Sequence, residues 1–501
     1  MPRYLKIDAS DNVLIALEPI PAGTAVNGVV TRADIPAGHK IAERAIHFGE
    51  AVTKFGYPIG VASVEIDAGS HVHSHNIKSA LSQKFDTLSF AETAKPLPII
   101  NEPRRRTFDG YRRPDGRAGT RNEIWIVNTV GCVNHASERV AAAANKELLG
   151  DGGKSGIDGV FAFPHPFGCS QLGDDLQHTQ RVLGGLVNHP NAAAVLILGL
   201  GCENNQMKAF LATLGPQMND RIRYFNAQDV GDEVEEGVNA IRELAGYAGQ
   251  FRREPIDAKE LIVGMKCGGS DGFSGITGNP LVGRVADRLT RGGGTVLLSE
   301  VPEMFGAERV LLERAADEYA FQRTIDLVND FRGYFQKYNE PIDENPSPGN
   351  KAGGISTLAE KSLGCVQKGG RAPVKQVLKY GEAAKAGLGG LALVNAPGND
   401  GVSCTAMTVA GAHTLLFTTG RGTPMGFPAP TIKISTNSDI YARKPQWIDF
   451  NAGQLLEGKD IETLADELVD TILDIASGRR QTNNEKHGYR EIAIWKDGVT
   501  L

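Results

Sequence analysis

The chain has 501 residues, 41% apolar and 22% charged, with a formal net charge of −6. That length predicts about three domains at roughly 100–200 residues each. The acidic balance excludes a global attraction for nucleic acid. The N-terminal MPRYLKIDAS has no apolar signal region, and no run of about 20 apolar residues is present to span a membrane.

Residues 1–82 carry an internal echo, in which Ile20-Pro21-Ala22-Gly23, Ile35-Pro36-Ala37-Gly38 and Ile66-Asp67-Ala68-Gly69 each precede an apolar position. Short strands separated by Ala-Gly turns predict a compact all-β module. It closes on His71-Val72-His73-Ser74-His75-Asn76. Read as a strand, this places His71, His73 and His75 on one face, a donor set suited to a first-row divalent metal. Residues 83–120, with Pro96, Pro98, Pro103 and Pro114 and several arginines, read as a basic linker. No aromatic stacking platform accompanies those arginines, which argues against nucleic acid.

From 121 to 255 the pattern alternates strands (124–130, 160–163, 194–198, 222–225) with helices, which predicts a parallel sheet with helices on both faces. Ligands of such sheets bind at the carboxyl ends of the strands. Those ends read Gly131-Cys132-Val133-Asn134, Gly168-Cys169-Ser170-Gln171 and Gly201-Cys202-Glu203-Asn204-Asn205, each a Gly-Cys pair followed by an amide.

Residues 256–501 read as a second α/β domain. The strand 261–263 leads into GMKCGGSDGFSGITGNP, where glycines permit close backbone approach and Ser270, Asp271, Thr277 and Asn279 supply short polar groups. A long helical region is predicted at 307–337. Further loops follow at 345–354, which contains Lys351, at 395–400, and at 419–424, which contains Arg421. A helix near 461–477 and a strand at 491–495 close the chain.

Six cysteines are too sparse for a disulfide framework, so the expected setting is a reducing cytoplasm. There is no CxxC, no GxGxxG after the first strand of 121–255, no Walker loop and no G-x-S-x-G elbow. Cys132, Cys169 and Cys202 either hold an iron–sulfur cluster with one open iron or are small residues under glycine turns.

The motifs HVHSHN, TVGCVN, GCSQLGDD, GLGCENNQ, CGGSDGFSGITGNP, SEVPEMFGAE, ENPSPGNKAGG, FTTGRGTP and the ending DGVTL, in this order, resemble the altronate/galactarate dehydratase family along the whole chain. The resemblance implies a β-clip (SAF-like) N-terminal module and loss of water from D-altronate to give 2-dehydro-3-deoxy-D-gluconate, with Fe2+ or Mn2+. Sister enzymes act on galactarate, and a related lyase removes sulfite from sulfolactate.

The α-proton of a carboxylate is weakly acidic, so a metal must stabilise the enediolate while a base and an acid move protons. The expected roles are His71, His73 and His75 for the metal and Lys351 or a histidine as base, with Ser270, Asp271 and His73 in the catalytic set. Arg121, Asn122, Gln171, Asn204, Asn205, Thr277, Asn279 and Arg421 are expected on the sugar acid. Two alternatives stay open: another sugar acid such as galactarate, or a non-catalytic sugar-acid-binding protein. The expected partner is a small sugar acid, with neither nucleic acid nor membrane; a homo-oligomer stays open.

Overall fold

The computed structural model describes residues 3–81, 88–95, 106–150, 156–215 and 220–501. The N-terminal module is all β. One antiparallel sheet pairs Tyr4–Leu5, Val13–Ala16, Lys40–Ala42 and His71–Val72, and another pairs Ala51–Lys54, Tyr57–Ala62 and Ile77–Lys78. The echo has a structural meaning. Ile20 and Ile35 of the echo bridge each other, and Ile66 of the third copy bridges Ile46. Each Ala-Gly turn puts its glycine in the left-handed region, with φ of 79° at Gly23, 81° at Gly38 and 81° at Gly69.

The segment read as a linker is only partly so. Residues 82–87 and 96–105, including Pro96, Pro98 and Pro103, lie outside the described residues. Thr107–Arg112, however, is a strand between Ala118–Gly119 and Arg253–Asp257. Phe108, Gly110 and Tyr111 are buried there, and the long-range partner that selects the extended form lies about 140 residues away in sequence, beyond any local pattern.

The middle domain is a four-stranded parallel sheet in the order Gly159–Ala162, Glu123–Asn128, Ala192–Gly199, Ile222–Asn226. The C-terminal domain is a seven-stranded parallel sheet in the order Val374–Leu378, Gly390–Val394, Thr295–Leu298, Ile262–Cys267, Thr414–Thr419, Thr431–Ser435, Phe450–Asn451. Its five strands from Gly390–Val394 to Thr431–Ser435 are buried along their whole length, as expected for strands covered on both faces. The predicted strand at 491–495 is not one. That segment lays Trp495 against Phe331 and His178 as a packed, unpaired run. The region 307–337 is two helices, Glu308–Leu312 and Glu318–Lys337, because Asp317 caps the second by accepting from Ala320 N.

One hydrophobic core joins the N-terminal module to the C-terminal domain, through Val52, Ile59 and Ile77 on one side and Leu281, Met304 and Leu358 on the other. No helix among the described residues is long and apolar enough to cross a membrane.

Candidate active site

The N-terminal module docks onto the carboxyl-end loops of the C-terminal sheet through a buried ion triad. Lys40 Nζ donates to Glu360 Oε2 at 2.9 Å and to Gly354 O at 2.8 Å, and Lys54 Nζ donates to Glu360 Oε1 at 2.8 Å. Burial pushes the Glu360 carboxyl up, but the two ammonium groups outweigh it and hold it at about 2. Backbone meets backbone at the same seam. A Cβ on Gly272 would collide with the Gly38 carbonyl, so this close approach requires glycine.

Three imidazoles of the module converge beside that triad. His39 Nδ1 and His71 Nε2 are 3.0 Å apart, and His73 Nδ1 lies 3.0 Å from Ser356 Oγ. One ring nitrogen from each of His39, His71 and His73 fits within a 4.8 Å set. Burial, with the neighbouring imidazoles next, lowers His71 to about 3; burial, with Lys40 next, lowers His73 to about 4; and burial lowers His39. Neutral imidazoles are the form that ligates metal, so the donor set fits a first-row divalent ion. Ser356 is itself fixed, since its N–H donates to Glu360 Oε2 at 2.8 Å. Glu360 therefore both docks the module and orients the serine behind His73.

This corrects the sequence-based triad. The strand ends at Val72, and residues 73–76 form a turn in which Asn76 Oδ1 accepts from His73 N at 2.9 Å. His75 is exposed and lies outside the ligand set, its ring 5.4 Å from that of His71. His39 takes the third place. It directly follows the Ala37-Gly38 turn, and the antiparallel pairing of Ile41 with His71 brings it alongside. That echo was the available signal.

A cavity of about 20 Å³ lies next to this seam, lined by Lys54, Glu360 and Lys361 and by Cys267, Ser270 and Asp271 of the glycine-rich loop. Asp271 accepts from Ser274 Oγ and Thr436 Oγ1 at 3.0 Å and from Asn437 Nδ2 at 3.2 Å; burial, opposed by these donors, still leaves its carboxyl raised. Asn279 also lines the cavity, but its amide is bonded to Gly364 O at 3.0 Å and to Thr418 Oγ1 at 2.6 Å. Thr277 bonds Thr436 O at 2.7 Å. Arg421 is exposed, reaching Gly349 O at 2.9 Å, and Lys351 sits half-buried on the short helix Pro348–Ala352. Besides Lys54, the cavity is lined by the cation Lys361, paired to Glu303 at 2.9 Å, which sequence reading missed. A larger cleft of about 770 Å³ lies at the opposite, amino ends of the strands, near Ile262 and His413, away from both clusters of ligating side chains.

Behind the cavity is a second cluster. Cys267, Glu300, Glu303 and Cys365 are all buried, with ligand atoms within 4.8 Å of one another. Lysines already fill it. Lys368 Nζ lies 3.0 Å from Cys267 Sγ, 2.8 Å from Cys365 Sγ and 3.3 Å from Glu300 Oε1, where a cation would sit. Lys266 pairs with Glu300 at 2.6 Å and with Asp400 at 3.0 Å. Glu300 is a non-glycine residue at φ 67°, a strained conformation of the kind found at functional sites.

The middle domain departs from expectation. Arg121 and Asn122 precede the strand Glu123–Asn128, at the amino end of the sheet. Arg121 is bound to Glu485 at 2.7 Å, and Asn122 to Gly156 O at 2.7 Å. Gln171 Oε1 accepts from Gly168 N at 2.9 Å, Asn204 Oδ1 from Ser170 N at 2.7 Å, and Asn205 Nδ2 donates to Thr129 O at 3.0 Å. These amides tie the Gly-Cys turns to one another. Cys132, Cys169 and Cys202 are exposed on those turns and are absent from the convergent ligand sets among the described residues.

Family profiles match this three-part architecture in order: "Altronate/galactarate dehydratase SAF domain" over residues 2–80, "D-galactarate dehydratase/Altronate hydrolase, second domain" over 110–249, and "D-galactarate/Altronate dehydratase, C-terminal" over 258–500. The protein belongs to the D-galactarate/altronate dehydratase family. It is similar to the altronate dehydratases of Escherichia coli (strain K12), 48% identical over 503 residues, and of Bacillus subtilis (strain 168), 47% identical over 507, with 100% of each chain covered. To the galactarate dehydratase (L-threo-forming) of Escherichia coli (strain K12) it is 32% identical over 508 residues, covering 98% of this chain and 96% of that one.

Proposed function

We propose that the protein removes water from D-altronate to give 2-dehydro-3-deoxy-D-gluconate, using Fe2+ or Mn2+ held by His39, His71 and His73. The observation that carries this reading is the set of three neutral imidazoles placed against a loop rich in short polar groups, in a chain about half identical to altronate dehydratases along its full length. A divalent ion held by these imidazoles would supply Lewis-acid stabilisation to the substrate.

The chain's own groups do the rest. Lys361 offers an ammonium to the acid end of the substrate, and Asp271 with its hydroxyl partners holds polyol oxygens. His75, which is exposed, and Lys351, which is half-buried, both outside the ligand set, are the candidates for taking the C2 proton. The cavity is too small for a six-carbon acid, so most of the substrate lies on the open side of the imidazoles.

The test is keto-acid formation by purified protein with Fe2+ or Mn2+ and a reductant, on D-altronate and galactarate in parallel. Turnover of altronate in preference to galactarate is expected. Preferred galactarate overturns the substrate, and binding of both acids without product overturns the reaction.

A further inference from the structure

We infer that Cys267 and Cys365 form a peroxide-reactive dithiol whose oxidation to a disulfide switches off the adjoining site. The two sulfurs lie 3.6 Å apart, fully buried and far apart in sequence, one at the end of the strand Ile262–Cys267 and one on the helix Leu358–Val366. A disulfide needs about 2.05 Å, so the sulfurs must approach by about 1.5 Å. Cys132, Cys169 and Cys202, by contrast, are exposed.

The environment divides the labour between the two sulfurs. A hydrogen bond from Cys365, opposed by burial and aided by Lys368, brings the Cys267 thiol down to about 5, while the same bond and burial push Cys365 up. Cys267 is then the thiolate and Cys365 the thiol that resolves. Access is provided by the cavity, which Cys267 lines and which has room for a molecule the size of water. Hydrogen peroxide, larger by one oxygen atom, enters only as this cavity widens slightly, and larger oxidants are excluded.

In the first step the Cys267 thiolate attacks one peroxide oxygen and the O–O bond breaks. Hydroxide leaves, is protonated to water, and Cys267 becomes a sulfenic acid. In the second step the Cys365 sulfur attacks Cys267 Sγ, the S–S bond forms and the S–O bond breaks. The hydroxide leaving there takes the Cys365 proton. Two cysteines lose two electrons to peroxide, and two waters form.

The disulfide removes one of the two negative charges beside Lys368, leaving Glu300, and it ties the loop after Cys267 to the helix that bears Glu360 and Lys361. Cavity floor and wall are then locked together. The effect on turnover rests on the dehydratase reading above; the formation of the bond does not.

The experiment uses full-length, metal-free protein carrying Cys132→Ser, Cys169→Ser and Cys202→Ser, treated with hydrogen peroxide. Of its three remaining thiols, two should disappear from titration in denaturant, the intact mass should fall by two hydrogens, and a 267–365 cross-linked peptide should appear; dithiothreitol should reverse all three. With Cys365→Ser added, no cross-link forms and Cys267 proceeds to sulfinic acid. After Mn2+ is supplied, altronate turnover should fall in proportion to the cross-link and return with dithiothreitol in the parent, but not in the Cys365→Ser protein. Persistence of both thiols under peroxide that oxidises a free thiol standard overturns the inference. So does a tightly retained metal on these sulfurs. A cross-link that forms without changing turnover overturns the switch, provided the untreated protein turns altronate over.

Discussion

His39 carries more of the site than its place in the sequence announces. Replacing His39 or His73 with Ala removes one of three ligands and should reduce bound Mn2+ or Fe2+ to background, measured by metal analysis after gel filtration. His75→Ala should keep its metal while altering turnover. A second expectation follows from the titration of these rings. An ordinary imidazole is half protonated near 6.5, but burial and neighbouring charge hold His71 at about 3 and His73 at about 4. Metal retention should therefore persist through pH 6.5 and fail only toward pH 4, followed by Mn2+ titration at stepped pH. For the metal-free fold the sign is the same. The unfolded chain binds these protons near 6.5 and the folded one does not, so stability falls as pH drops from 6.5 toward 4 and is unaffected by them above 6.5. Ser356→Ala should weaken metal binding about 10-fold or more, by freeing the His73 ring.

At the scale of elements, the helix Leu358–Val366 is the hinge of the design, because Glu360 on it accepts from two buried lysines of another module. Glu360→Gln leaves Lys40 and Lys54 buried without a counter-charge, and breaking such a pair costs about 3–5 kcal/mol. Denaturant unfolding should show that loss, and limited proteolysis should cut first in the N-terminal module. This helix also shows where sequence reading stops. The parallel strands were legible because each is a continuous apolar run, and the β module because its turns repeat. The strand Thr107–Arg112 was hidden because its pairing partner is Arg253–Asp257. The segment 491–495 looked like a strand because it is apolar, yet it buries Ile494 and packs Trp495 on Phe331 without a ladder. His71 and His73 were legible as neighbours. His39 was not, since its partnership is made across strands over 32 residues. Nor were Lys266, Lys361 and Lys368, because charged residues in sequence are read as surface and only the fold reveals carboxylates waiting for them.

For the whole molecule, the proposed reading assigns the metal to the N-terminal module and the substrate-facing hydroxyls, acid and lysine to the C-terminal domain. Chelation should lower the thermal midpoint by a few degrees, since a ligand bound only by the folded form adds stability by mass action, and added Mn2+ should restore it. Because the imidazoles sit at the docked seam, chelation should also speed proteolysis of the module more than of the parallel sheets, read by mass spectrometry of early fragments.

The docked seam has a further meaning. On the proposed reading every ligand for the ion lies on one side of it and the polar loop on the other, joined by an ion triad and a shared core. The peptide connection adds a local concentration, of millimolar order for a short tether, to the contacts its described part makes, Phe90 with Phe321 and Lys95 with Glu313. A lineage could split such a gene in two and keep the chemistry so long as both products were made abundantly. It could equally exchange one polar half for another and so change which acid is dehydrated while inheriting the ion-holding half unaltered.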